Sequence, residues 1–182
     1  MDLNDFIKST ADRDRQVSYE IAKSLNNKGL VAVITVFTEL GSSLGAFVIF
    51  ALVGLYSGLS ALSLMVPIYL VQLGIVELVK IASKKPRPQA KIEELRETNI
   101  FGVKARSGSF PSGHASNIFA MAVLLSTYYN ASTFVTGLLF TVAFLVSLSR
   151  IYLGKHYVVD VFAGALIGLL CSSLLLTLIK GI

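Results

Sequence analysis

Long apolar runs alternate with short polar connections along this chain. A helix needs about 20 residues to cross the hydrocarbon core of a bilayer. Five runs approach or reach that length, namely 40–59, 62–82, 113–129, 132–148 and 158–179. Backbone polar groups find no water in lipid, so each run is predicted to be helical. The runs are continuous and do not alternate apolar with polar residues, which argues against a transmembrane β-barrel.

The polar connections determine where the chemistry of the chain lies. A tight turn near Ser60 is predicted between the first two runs, and another at Asn130–Ala131 between the third and fourth. A polar loop, 83–110, follows the second run, and a short basic segment, 149–157, follows the fourth. Counting crossings places that loop and that segment at one membrane face. The predicted fold class is an all-α polytopic helix bundle with about five transmembrane helices.

Breaks and amphipathic patterns refine this outline. An apolar piece, 30–37, precedes the first run, and Gly41–Ser43 predicts a helix break between them. Residues 1–29 predict an amphipathic helix, because Val17, Ile21 and Leu25 recur every four residues. The pattern is equally compatible with a helix that lies in the membrane interface and with a soluble helix that packs on the polar loop. We treat the whole chain as one membrane-embedded domain with this N-terminal segment and a polar active-site loop at 83–111.

Composition supports a membrane protein and a lipid partner. The chain is 54% hydrophobic and only 15% charged, with a net charge of +5, whereas a soluble domain carries about 25% charged residues. A basic soluble protein raises the question of nucleic acid. Here the basic residues border apolar runs without interleaved aromatic residues, so nucleic acid is not expected. Anionic or phosphorylated lipids fit better, and charge among apolar spans points to function.

The first cluster of candidate residues is His156 with Asp160. They lie four residues apart, a spacing that places two side chains on one face of a helix. A carboxylate bound to one imidazole nitrogen fixes the tautomer and leaves the lone pair of the other nitrogen free. Such a histidine is a directed nucleophile. The alternative is a structural polar pair at the start of a helix.

The second cluster is Pro111–His114, where the polar loop enters the third run. Ser112 is predicted to cap a helix there. The amides of Ser112 and Gly113 can then face an anion at the positive end of the helix dipole. His114 lies beside that anion site, where it can give a proton to a leaving oxygen. The alternative is an ordinary capped helix with an interfacial histidine.

The third group consists of the cations Lys80, Arg87 and Arg150, each at or near the end of an apolar run. Arginine offers a planar fork to phosphate oxygens, and lysine offers a point charge. The alternative for each is a side chain that extends toward lipid head groups. We predict that alternative for Lys84 and Lys85.

Taken together, three strings match a known pattern. Lys80 begins K-x6-R-P, residues 111–114 read P-S-G-H, and Ser149 begins S-R-x5-H-x3-D. This arrangement resembles the type 2 phosphatidic acid phosphatase superfamily, which also includes vanadium haloperoxidases and bacterial acid phosphatases. The resemblance covers about 80–168, with every motif position filled in the right order. Many membrane members have six spans, and the five counted here lack the first.

The resemblance implies a haloperoxidase-like fold and a role for each motif residue. His156 would attack phosphorus and form a phosphohistidine, and Asp160 would orient it. His114 would protonate the leaving group and then activate water. The phosphoryl oxygens would be held by Lys80, Arg87, Ser112, Gly113 and Arg150. Family members work without a metal or another cofactor, so neither is expected here.

The function expected from these features is hydrolysis of a lipid phosphate or diphosphate. Candidate substrates are phosphatidic acid, phosphatidylglycerol phosphate and polyprenyl diphosphates such as undecaprenyl diphosphate. Arg96, Lys104 and Arg106 of the polar loop either meet a second phosphate or only solvate the loop. Phosphotransfer to an alcohol and a non-enzymatic small anion transporter are the open alternatives.

Two criteria disagree about the sidedness of the site in the cell membrane. Every Lys and Arg except Lys180 falls on the site face by the count of crossings, which by the positive-inside rule makes that face cytoplasmic. The resemblance implies an extracytoplasmic site. We follow the resemblance, because catalytic and loop cations serve another purpose and distort the charge count.

Overall fold

The structure is a computed structural model that describes residues 2–24, 28–88 and 108–180. These residues form seven α-helices and one short 3-10 helix at Glu39–Gly41, without a β-strand. The α-helices are α1 (Leu3–Lys23), α2 (Lys28–Thr38), α3 (Ser43–Ser57), α4 (Leu59–Ser83), α5 (Gly113–Tyr128), α6 (Thr133–Tyr152) and α7 (Val158–Lys180). The all-α helix bundle predicted from the sequence is confirmed.

The count of spanning helices differs from the predicted five. Among the described residues, α4, α6 and α7 are long and apolar enough to cross a bilayer. Helices α2 and α3 qualify only as a pair bent by 59°, and the bend lies at the break predicted from Gly41–Ser43. This gives three spans, or four with the bent pair.

Helix α5 explains the difference, because its position does not require it to span a bilayer alone. It has 16 residues, or about 24 Å at 1.5 Å per residue, which is short for a span. It packs against α4, α6 and α7, and most of its first three turns are buried. Its surroundings are therefore mainly protein.

Helices α5 and α7 approach each other closely at two glycines. A Cβ atom built on Gly164 would overlap the carbonyl oxygen of Ser112, and one on Gly168 would overlap that of Ser116. Two glycines four residues apart form a recognised contact surface between membrane helices. The backbone N–H of Ser112 also donates to the carbonyl oxygen of Asp160 at 2.8 Å. The first turns of α5 and α7 are therefore in direct contact.

The turns between the other helices follow local backbone rules. The turn between α3 and α4 lies at Gly58, with φ +74°, two residues before the predicted Ser60. Glycine adopts this left-handed backbone without steric cost, whereas serine does not. The turn at Asn130, with φ +47°, is where the sequence predicted it. Ser132 caps α6 by accepting a hydrogen bond from the Val135 N–H.

Helix α1 packs against α6 and α7. The Val158 N–H donates to Ser18 Oγ at 3.0 Å, and the Val159 N–H donates to Asp14 Oδ1 at 3.1 Å. These side chains satisfy amides at the start of α7 that have no intrahelical acceptor. Neither sequence alternative for α1 included this contact. Leu25 of the predicted apolar stripe lies outside the described residues.

Candidate active site

The ends of α4, α5 and α6 and the start of α7 bring the three motif clusters together. The Ser112 N–H of the second string donates to the carbonyl oxygen of Asp160 of the third string at 2.8 Å, and His114 follows two residues later on α5, where the charges of Arg150, Lys80 and Arg87 act on it. Gly113 lies against Lys80, since a Cβ atom built on this glycine would be 3.1 Å from Lys80 Nζ. Residues from all three strings therefore surround one small region.

His156 lies in the turn before α7 and is almost fully buried. Its Nδ1 atom is 2.7 Å from the carbonyl oxygen of Ser109. A carbonyl oxygen only accepts, so Nδ1 carries the proton and Nε2 keeps its lone pair. Burial lowers the pKa of His156 to about 4, as do the charges of Arg150 and Arg87, against the opposing effect of Asp160. The imidazole is therefore neutral at pH 7.

Asp160 does not meet His156 in the way that helical spacing predicted. Its Oδ2 atom is 3.8 Å from His156 Nδ1, which is too long for a hydrogen bond. The reason is that His156 precedes the helix, which begins at Val158. Oδ2 instead accepts a hydrogen bond from the Tyr157 N–H at 2.9 Å. Asp160 thus holds the turn that carries His156, while a backbone carbonyl sets the tautomer.

The two adjacent lysines after α4 differ sharply. Lys84 is exposed and ends α4 with a left-handed backbone, φ +47°, and its exposure is compatible with the predicted extension toward lipid head groups. The same prediction for Lys85 is wrong, because its Nζ atom lies 2.7 Å from Asp160 Oδ1. Lys85 is therefore part of the site.

Ser112 caps α5 as predicted, since its Oγ atom accepts a hydrogen bond from the Ala115 N–H. Its own backbone N–H is occupied by the carbonyl oxygen of Asp160. The prediction that this amide faces an anion is therefore wrong. Gly113 is the first residue of α5, where an N–H has no intrahelical acceptor. It is the better candidate for an anion contact.

The two arginines are only partly satisfied. The Nε atoms of Arg87 and Arg150 are buried and have no hydrogen-bond partner among the described residues. One terminal nitrogen of Arg150 donates to Thr38 Oγ1 at 3.1 Å. Burial lowers the pKa of Arg87 against the opposing charge of Asp160. Buried polar groups are normally paired, so the unpartnered N–H groups of these arginines are available to donate hydrogen bonds to a phosphate or another anion.

The third predicted cation, Lys80, forms an ion pair with Glu77. Lys80 Nζ lies 2.5 Å from Glu77 Oε1, one turn earlier on α4. The lysine side chain is 10% exposed, whereas that of Glu77 is 47% exposed. This pair orients Lys80 toward Gly113 while the glutamate faces outward.

Besides Lys85, sequence reasoning missed three further residues of this region, Thr38, Ser109 and Lys155. Thr38 accepts hydrogen bonds from Ser149 and Arg150, and Ser109 accepts from His156. The pKa of Lys155 is lowered to about 8, mainly by burial and to a smaller extent by the charges of Arg150 and Arg87. Lys155 had a signal, because it directly precedes His156 inside the third string. Thr38 and Ser109 had none, since their contacts depend on folding.

Two further observations concern what the described part of the chain contains. Its residues include no group of three or more His, Cys, Asp or Glu side chains placed to hold a metal ion. The loop cations considered for a second phosphate, Arg96, Lys104 and Arg106, lie outside the described residues.

Known proteins resemble this chain in sequence. The family model of the PAP2 superfamily matches residues 60–181. The chain is 32% identical over 71 residues to lipid A 4'-phosphatase of Porphyromonas gingivalis, covering 39% of this chain and 30% of that protein. It is 44% identical over 65 residues to bacitracin transport permease protein BcrC of Bacillus licheniformis, covering 35% and 30%. The matched stretches therefore span about a third of these relatives.

Solved structures resemble it over most of its length. LpxE of Aquifex aeolicus superposes with a TM-score of 0.75 and 26% identity, covering 89% of this chain and 93% of that one. A PAP2-type phosphatidylglycerolphosphate phosphatase of Bacillus subtilis superposes with a TM-score of 0.72 and 24% identity, covering 96% and 88%. The second likeness concerns the fold alone. With three motif strings meeting at helix ends and a family match over more than half its length, the chain is an integral membrane member of the PAP2 superfamily.

Proposed function

We propose that this chain is a metal-independent phosphatase that hydrolyses a lipid phosphate or lipid diphosphate through a phosphohistidine at His156. One observation carries the proposal. The Nδ1–H of His156 is committed to the Ser109 carbonyl, so the lone pair on Nε2 is available. The incompletely paired guanidinium groups of Arg87 and Arg150 lie close enough to act on this imidazole electrostatically. A neutral nucleophile beside an anion site suits phosphoryl transfer.

The proposed reaction has two steps. In the first, the Nε2 lone pair attacks phosphorus, and the bond from phosphorus to the leaving oxygen breaks. Protonated His114 donates its proton to that oxygen, so an alcohol leaves neutral and a lipid monophosphate leaves with one negative charge fewer. In the second step, His114 takes a proton from water, the hydroxide attacks phosphorus, and the electron pair of the phosphorus–nitrogen bond returns to Nε2.

Positive groups hold the phosphoryl oxygens in this proposal. Lys80, Arg87 and Arg150 supply the charge that magnesium supplies in many other phosphoryl-transfer sites. The amide of Gly113 adds a contact at the start of α5. Ser112 supports this arrangement indirectly, through its cap on α5 and its hydrogen bond to Asp160. Charge that develops on the oxygens in the transition state is then stabilised by groups already in place.

An apolar groove supports a lipid substrate. Its volume is about 520 Å³, and residues of α1, α5, α6 and α7 line it almost entirely with hydrocarbon. Ile151 and Val158 lie on its wall. Ile151 follows Arg150 in the sequence, and Val158 comes two residues after His156. We propose that a lipid chain lies in this groove while its phosphate reaches the site at the ends of α6 and α7. Apolar lining with polar groups at one end is typical of ligand sites.

Hydrolysis by purified protein tests the proposal. Protein in detergent with EDTA is incubated with phosphatidic acid, phosphatidylglycerol phosphate, undecaprenyl diphosphate and a lipid A phosphate, the last because of the curated relatives. Phosphate release that His156→Ala abolishes is the expected result. Lys84→Met, which changes an exposed lysine, is the matched control and retains activity. Binding without phosphate release would instead favour an anion transporter, and phosphoryl transfer to added alcohol without release would favour a phosphotransferase.

We further propose that the site faces the extracytoplasmic side. A Lys104→Cys variant in a Cys171→Ser background tests this point with a membrane-impermeant thiol reagent. Labelling of intact cells is expected. Labelling only after permeabilisation would place the site on the cytoplasmic face.

A further inference from the structure

Lys85 makes contacts that neither the sequence strings nor the proposed reaction assigns to it. Its Nζ atom lies 2.7 Å from Asp160 Oδ1 and 3.7 Å from Asp14 Oδ2. It also lies 4.4 Å from the centre of the Tyr157 ring, within range of a cation–π interaction. Asp160 is fully buried. A buried carboxylate is costly without a partner, and Lys85 is the cation at hydrogen-bond distance from it in the described structure.

The backbone of Lys85 supports His156 from a second direction. Its carbonyl oxygen accepts a hydrogen bond from the Ser109 N–H at 2.7 Å. The Ser109 carbonyl in turn accepts from His156 Nδ1 at 2.7 Å. Ser109 Oγ also donates to the Pro86 carbonyl at 3.1 Å. Lys85 therefore contacts both residues that fix His156: its backbone binds the N–H of Ser109, whose carbonyl sets the tautomer, and its ammonium group binds the Asp160 carboxylate, which holds the turn.

We propose that Lys85 is a positioning residue for the phosphatase reaction. Its ammonium group holds the Asp160 carboxylate, which binds the Tyr157 N–H and so fixes the turn carrying His156. This inference rests on the proposed function. Misplacement of a reacting atom by about 1 Å can cost about a hundredfold in rate. Loss of the ammonium group is therefore expected to slow the chemical step while substrate still binds.

Lys85 is not placed to bind phosphate itself. Its ammonium group already faces two carboxylates and two aromatic rings, those of Tyr157 and Phe110. Loss of a lysine that holds the substrate phosphate equally in the ground state and the transition state raises KM, whereas loss of a positioning residue lowers kcat. The two roles are therefore separable by kinetics.

Three variants test the proposal by activity. Lys85→Met keeps most of the side-chain volume without the charge, Lys85→Arg keeps the charge, and Lys84→Met is the matched control. We expect Lys85→Met to lower kcat at least about 10-fold with KM within about twofold, by loss of orientation. Lys85→Arg is expected to restore most of kcat, and Lys84→Met to match the wild type.

The outcomes separate this inference from the function on which it rests. If the wild type releases no phosphate from any substrate, the proposed function fails. If the wild type is active and Lys85→Met turns over like Lys84→Met, the positioning role is overturned. A rise in KM at unchanged kcat also overturns it and makes Lys85 a binding residue.

Thermal unfolding in detergent provides a test that needs no activity. Lys85→Met leaves the buried Asp160 carboxylate unpaired, so its unfolding midpoint should fall by roughly 5 to 10 °C. Adding Asp160→Asn removes the unpaired charge and should recover part of that loss. If Lys85→Met yields no folded protein but the double variant does, that result supports the proposal in the same way. A double variant no more stable than Lys85→Met would contradict a stabilising ion pair between Lys85 and Asp160.

Discussion

The close approach of α5 and α7 at Gly164 allows a quantitative test of how the site is assembled. In Gly164→Ala, the added methyl group would overlap the Ser112 carbonyl oxygen. Backbone cannot rotate away as a flexible side chain does, so the two helices must separate. This separation strains the hydrogen bond from the Ser112 N–H to the Asp160 carbonyl, which joins the two active-site strings.

The magnitude follows from two opposing effects. Overpacking a close contact costs about 1 to 3 kcal/mol, while replacing glycine by alanine in a helix gains about 1 kcal/mol. Because the overlap here is with backbone, we expect a net loss of about 1 to 2 kcal/mol. For a chain of this length, that loss lowers the unfolding midpoint by roughly 2 to 8 °C.

Two further glycines provide the controls. Gly168→Ala meets the Ser116 carbonyl one turn deeper in the bundle, so it should lose similar stability but less activity. Gly137 lies on α6 with no atom within 4 Å of a built Cβ, so Gly137→Ala should be neutral or stabilising.

The assays are thermal unfolding in detergent and phosphate release under saturating substrate. Gly164→Ala is expected to lose at least about 10-fold in kcat, because a small shift of reacting groups is costly. The reasoning is refuted if Gly164→Ala matches Gly137→Ala in both stability and activity.

Three other predictions follow from single contacts. Burial holds the pKa of His156 at about 4, below its usual 6.5, so between these pH values the unfolded chain binds more protons than the folded one. Stability is therefore expected to fall as pH drops from 6.5 toward 4. The unfolding midpoint of His156→Asn should depend less on pH across this window, and an equal dependence would contradict the assignment. Thr38→Val removes the hydrogen-bond acceptor for Arg150. We expect KM for substrate to rise several-fold in kinetic assays and the free energy of unfolding to fall by about 1 to 3 kcal/mol. An unchanged KM would count against Thr38 as a support of the anion site. Ser18→Ala removes the cap on the Val158 amide and should cost about 1 kcal/mol in unfolding experiments, with no loss expected if α1 does not pack on α7.

Much of the fold follows from the apolar pattern, because lipid forces each long apolar run to be helical. The bend before α3 was predictable from local sequence, because Gly41–Ser43 interrupts a helical pattern. The central position of α5 was not predictable from its own residues. Its composition is that of a span, and its surroundings are set by contacts with helices distant in sequence. The Gly164-x3-Gly168 spacing was a usable signal for one of these contacts.

The residues of the candidate site were predictable as a set, whereas their contacts were not. The three strings named the cations and histidines that the fold brings together. Lys85 was predicted to extend toward lipid head groups, because sequence alone does not distinguish it from Lys84. The left-handed backbone of Lys84 ends α4, and the chain then directs its neighbour toward Asp160. Contacts across such distances in sequence follow from the fold, not from local patterns.

Direct detection of the phosphorylated enzyme tests the central claim most directly. Protein mixed with substrate is denatured in alkali within the first turnovers, and the site of phosphorylation is determined by mass spectrometry and phosphorus NMR. The account predicts phosphate on Nε2 of His156, because Nδ1 is bound to the Ser109 carbonyl, and none in His156→Ala. Phosphate on Nδ1 or on another residue, or lipid hydrolysis that continues in His156→Ala, would contradict it.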